Sequence, residues 1–121
     1  MNRPSVAWGE VTIDCIDTER VANFWSDLLD VRARAQADAW FRIGPLVAGG
    51  PLINFQPVSE SKVGKTRIHL DLWVDDLHAT VALVERFGGR KLSEMGADPE
   101  GVGFIMADPE GNEFCLVALP P

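Results

Sequence analysis

Two stretches, "DCIDTERVANFWSDLLDVR" (14–32) and "DLWVDDLHATVALVERFGGR" (71–90), decide the fold because they follow one plan. In the first, Asp17 stands at a helix cap, and Val21, Phe24, Trp25, Leu28 and Leu29 follow at helical spacing. That spacing predicts an amphipathic helix over 18–29. In the second, Asp75 or Asp76 caps the helix, and Leu77, Val81, Val84 and Phe87 form its apolar stripe. Gly88-Gly89 ends it.

Each helix follows an alternating segment. In "EVTIDCI" (10–16), Val11, Ile13 and Cys15 share one face, and Glu10, Thr12 and Asp14 share the other. In "RIHLDLWV" (67–74), Ile68, Leu70, Leu72 and Val74 oppose Arg67, His69, Asp71 and Trp73. Extended pieces follow each helix: 31–36, 39–43 and 51–57 in the first half; 90–95, 101–107 and 113–119 in the second. The polar "SESKVGK" (59–65) reads as a linker or exposed loop.

The chain is therefore an internal duplication within one domain. Module one covers about 5–58 and module two about 66–121. The expected class is α+β: two βαβββ modules forming a cupped mixed sheet, with the helices on its outer face.

The 121 residues suffice for a hydrophobic core without disulfides. A net charge of −7 disfavours nucleic acid and anionic membrane surfaces as partners. Two cysteines, Cys15 and Cys115, make no disulfide framework. With no signal-peptide pattern at "MNRPSVAWGE" and no membrane-length apolar run, the expectation is a cytoplasmic protein.

The segments "DTERVANFWSDLLDV", "KTRIHLDLWVDDLHATVALVERFGG" and "DPEGNEFCLV" together resemble the glyoxalase / bleomycin-resistance / extradiol dioxygenase superfamily, also called vicinal oxygen chelate. The likeness is closest to its small glyoxalase-like domains. It implies paired modules around a pocket for a small organic molecule, and commonly a homodimer. In metal-dependent members, the first and last strands of each module hold a divalent ion.

Carried over to this chain, those four positions read Glu10, Asn54, His69 and Cys115. His69 stands five residues before Val74-Asp75, where the resemblance places a ligand histidine. Cys115 replaces the expected glutamate, and Glu10 or Val11 the second expected histidine; strand alternation selects Glu10. One imidazole, one thiol, one carboxylate and a neutral amide are a poor set for a first-row catalytic metal. The expectation is no cofactor. If a divalent metal binds, its ligands are Glu10, His69 and Cys115.

Around these positions, alternation aims Thr12, Asp14, Gln56, Asp71 and Trp73 into the cup. His69 is either an acid/base or a histidine hydrogen-bonded to Asp71, Glu10 or water. Glu10, Asp14 and Asp71 form either an acid/base or cation-binding group, or a wet face paired with Arg67 or Lys65. Trp73 walls an aromatic ligand or fills a dimer interface. Cys115 lacks a neighbouring base in sequence to make it a nucleophile.

Two functions follow. One is a binding protein that holds a small organic molecule without metal. The other is a lyase, isomerase or dioxygenase-type enzyme, using His69 and Glu10 as acid/base or as metal ligands.

Overall fold

A computed structural model describes residues 3–94 and 103–118. The elements run β1 (Glu10–Cys15), α1 (Thr18–Leu29), β2 (Ala33–Ala35), β3 (Phe41–Ile43) and β4 (Leu52–Pro57), then β5 (Leu70–Val74), α2 (Leu77–Arg86), β6 (Arg90–Glu94), β7 (Gly103–Ala107) and β8 (Glu113–Ala118). The βαβββ plan thus occurs twice, as expected.

Each module closes its own four-stranded sheet. The orders are β1-β4-β3-β2 and β5-β8-β7-β6, so the two sheets share one topology. First and last strands pair in parallel, and the hairpins pair antiparallel. β1 and β5 are each an edge strand.

The helix caps form as the sequence requires. Asp17 accepts from the Arg20 amide at 3.2 Å, and Asp76, not Asp75, accepts from the Ala79 amide at 3.0 Å. The α1 stripe buries Val21, Phe24 and Trp25 against Ile43, Ile53 and Phe55. Ile53 and Phe55 flank Asn54 along β4, which period two sets on the opposite face from them.

Several boundaries differ from expectation. The first strand of module two begins at Leu70, not 67. Arg67 and Ile68 lie in a bend, and Ile68 is 85% exposed instead of facing the helix. Alternation cannot distinguish a strand from an extended approach to one. The 31–36 and 39–43 pieces shrink to two three-residue strands, separated by a 3₁₀ turn at Ala37–Ala39. Residues 95, 101–102 and 119 of the expected strands lie outside the described residues.

The modules interlock through "DPEGN". Asp108 is fully buried, and both its carboxylate oxygens are used. Oδ1 accepts from the Glu110 and Asn112 amides at 2.9 and 3.0 Å. Oδ2 accepts from Asn112 Nδ2 at 2.9 Å and, across the module boundary, from Trp25 Nε1 at 3.2 Å. The Glu110 carboxylate takes the Ile16 and Asp17 amides, both at 2.7 Å. Trp25 and Phe24 pack on Phe114 with ring centroids 4.8 and 6.0 Å apart. Gly89 completes the contact. A Cβ there would lie 2.5 Å from the Ala107 carbonyl and 2.9 Å from the Phe24 ring.

Candidate functional site

A groove of about 760 Å³ runs along the β1 edge. The consecutive run 10–14 lines it, so the groove meets the strand edge-on as well as on its cup face. His69 and Leu70 also line it, as do Glu110, Asn112 and Glu113. Trp8 and Trp25 add aromatic wall. A second depression of about 430 Å³ near the start of α1, lined by Asp17, Arg20 and Phe87 among others, holds none of the expected site residues.

The linker is part of the groove. Glu60 to Thr66 line it without a break, so the segment read from sequence as an exposed loop is also a wall. Glu113 anchors this wall. Its Oε1 accepts from Lys62 Nζ at 2.9 Å and from the Thr66 amide at 3.2 Å. The Lys62 hydrogen bond, helped by that amide, holds the Glu113 carboxyl below the usual carboxylate range. Nothing in the alternation marked Glu113 as an anchor, because its partners lie in a segment without periodicity.

Glu10, Thr12, Asp14 and His69 therefore share one groove. Asn54, Gln56, Asp71, Trp73 and Cys115 are not among its lining residues. They lie elsewhere on the two sheets, Asn54, Asp71 and Cys115 in rows that strand register defines. In module one, Thr12 lies beside Asn54, and Asn54 beside Arg42. In module two, Asp71 lies beside Cys115, and Cys115 beside Ile105. Glu10 and His69 each stand two residues before the first member of their row.

These equivalent rows carry different chemistry. Arg42 Nε donates to Asn54 Oδ1 at 2.7 Å, and Arg42 Nη2 meets Glu10 Oε2 at 3.4 Å. Asn54 is 3% exposed, so this bond satisfies a buried amide oxygen. In module two, His69 Nδ1 lies 3.2 Å from Asp71 Oδ1 and 3.6 Å from Cys115 Sγ. Donor atoms of all three lie within 4.8 Å of one another, close enough to share one ion.

The cross-module metal set implied by the resemblance does not fit this chain. Two of its four positions, Glu10 and Asn54, are already bound to a guanidinium. A second cation there would meet a fixed positive charge and lose those two donors. Arg42 was invisible to sequence reasoning. It sits on a three-residue strand, too short to show alternation, and only the pairing of β3 with β4 places it beside Asn54.

The two thiols differ. Cys15 is buried in the core, and burial together with Glu110 and Asp108 pushes it up to about 12. Burial thus disfavours the thiolate form that a nucleophile needs. Cys115, 3% exposed, touches the His69 ring instead.

Residues 10–117 match the family model of the glyoxalase-like domain. A search of curated proteins finds no significant match. Among solved structures, a glyoxalase/bleomycin resistance protein/dioxygenase family enzyme from Burkholderia phytofirmans superposes with a TM-score of 0.72 at 14% identity, covering 93% of this chain and 98% of that one. The fosfomycin resistance protein FosX from Listeria monocytogenes gives 0.73 at 12% identity, with 97% and 96% covered. A mutant of it, complexed with Mn(II) and 1S,2S-dihydroxypropylphosphonic acid, gives 0.74 at 13%, with 94% and 90% covered. At such identities these likenesses establish the fold. The match over residues 10–117, joined to the doubled βαβββ architecture, shows that the chain belongs to the glyoxalase-like domain family of the vicinal oxygen chelate superfamily.

Proposed function

We propose that this protein binds a small organic molecule in the groove between β1 and the start of β5, without the cross-module metal of its metal-dependent relatives. The observation that carries this is Arg42, hydrogen-bonded to Asn54 and paired with Glu10 at positions where such an ion would need donors. The groove's aromatic and apolar surface, from Trp8, Val63 and Ile68, suits a planar or aromatic ligand. Trp8 is 79% exposed and gives a spectroscopic reporter. Titrating a panel of small aromatic compounds should give saturable tryptophan quenching, weakened when Thr12→Arg fills the groove. Quenching by no compound would overturn the proposal.

A catalytic reading has one observation in its favour: His69 and Glu10 line the same groove, as an acid/base pair requires. Turnover of a bound compound, lost in both His69→Ala and Glu10→Gln, would establish it. We further propose a homodimer working in the cytoplasm. Trp73 is 73% exposed on an edge strand, and a second copy would cover it. Both cysteines are thiols, which suits a reducing compartment. None of the described helices is long and apolar enough to cross a membrane. Light scattering at two concentrations tests the dimer, and a monomer mass at both would refute it.

A further inference from the structure

We infer that the connector from Glu60 to Thr66 is a movable wall that gates the groove, latched shut by the Glu113 carboxylate. The gate takes its purpose from the groove reading. Its movement rests on contacts that involve no ligand.

The connector is tied down at few points. At its start, the Val58 amide donates to the carbonyl of Cys15, the last residue of β1, at 3.0 Å. At its end, the Thr66 amide donates to Glu113 Oε1 at 3.2 Å. Between them, Lys62 Nζ donates to the same oxygen at 2.9 Å. That ammonium also donates to the Gly64 carbonyl, which folds the connector back on itself. The bond from Ser59 Oγ to Glu60 Oε2, at 3.3 Å, stays local. One carboxylate oxygen thus gathers both bonds that carry the connector across to β8.

The two sides of the latch differ in stiffness. Glu113 opens β8, which lies between β5 and β7 in its sheet, and its side chain is 11% exposed. It is a fixed post. The connector lies between β4 and β5, outside every helix and strand. Residues 60–65 are exposed, and its one large apolar side chain, Val63, is 94% exposed and gives no anchorage. Gly64, with φ at 77°, has open space where a Cβ would stand. A segment with so little buried apolar contact opens locally at a small free-energy cost. Parting Lys62 from Glu113 frees the wall, while the ladders of both sheets stay paired because the connector contributes no strand to them.

Every residue from Glu60 to Thr66 lines the groove, so their joint movement changes its mouth. A molecule enters when the wall is away and is retained when the wall returns. The latch therefore sets entry and escape rates, and the β1 and β5 residues of the groove provide the surface that is bound.

Limited trypsin digestion of the full chain tests the gate without a ligand. Cutting after Lys62 or Lys65 requires the connector to leave Glu113, so its rate tracks the open fraction. Glu113→Gln keeps an oxygen for the Thr66 amide and removes the charge that holds Lys62. It should raise cutting at those two bonds about threefold, the scale of one partly exposed ion pair. The Arg20–Val21 bond inside α1 is the internal reference and should be cut at the parent's rate. Lys62→Gln should speed cutting after Lys65 to the same extent, and the double variant no further, because the two residues share one interaction. Equal rates in the parent and Glu113→Gln would overturn the gate. So would equal acceleration at Arg20–Val21, which reports lost overall stability, or effects that add in the double variant. Tryptophan quenching by the aromatic panel judges the groove reading separately, so the two proposals fail independently.

Discussion

The two modules share a topology and differ in what they place at matching positions. Module one sets Glu10, Asn54 and Arg42 in one hydrogen-bonded group; module two sets His69, Asp71 and Cys115 beside Ile105. The scaffold is the same, so the contrast resides in a few side chains. A sheet fixes which positions neighbour one another, and the residues there decide whether a guanidinium joins the row, as Arg42 does in module one where Ile105 stands in module two. A second contrast lies in the loops. Module two's last hairpin carries the buried carboxylate of Asp108, while the corresponding module-one turn between β3 and β4 reads "GPLVAGGP" and has no acid.

The largest way to break the comparison is to remove that carboxylate. Asp108→Ala deletes acceptors for Trp25, Asn112 and the Glu110 amide. We expect a loss of about 3 kcal/mol, the scale for buried hydrogen bonds to a charged group, read by urea denaturation. If the loss were below 1 kcal/mol on that scale, the loop would not be holding the modules together. Gly89→Ala comes next, at about 2 kcal/mol, because its Cβ would press on the Ala107 carbonyl and the Phe24 ring. A thermal melt equal to the parent's would show that this contact gives way freely.

Arg42→Met should cost about 1–2 kcal/mol, since it strands the buried Asn54 oxygen.

Much of this was legible in the chain. The duplicated helix pattern gave the architecture, and alternation gave the exposure pattern along β1. Cross-strand neighbours were not legible. Arg42 acquires meaning only through the β3–β4 register, and Cys115 meets His69 only through β5 and β8. Trp25 and Asp108 bond across 83 positions, a distance no local pattern encodes. The start of β5 was misplaced because Ile68 carries the alternation back beyond the residue where the strand begins.

The smallest expected effect concerns the groove wall. Glu113 is held below its ordinary value of 4.5 mainly by Lys62. Its contribution is therefore present above the unfolded value and disappears as pH falls through the lowered folded one. Lys62→Ala should cost under about 1 kcal/mol at pH 7 and flatten the acid limb of the stability profile between the two values. An unchanged acid limb would detach the linker from Glu113.

A tether that doubles as a wall separates two kinds of inheritance. Substitutions between Glu60 and Thr66 reshape the groove wall, while the strands and helices of both sheets lie outside that segment. If the groove binds as proposed, drift in the connector alters the shape of the site while the architecture stays under separate constraint.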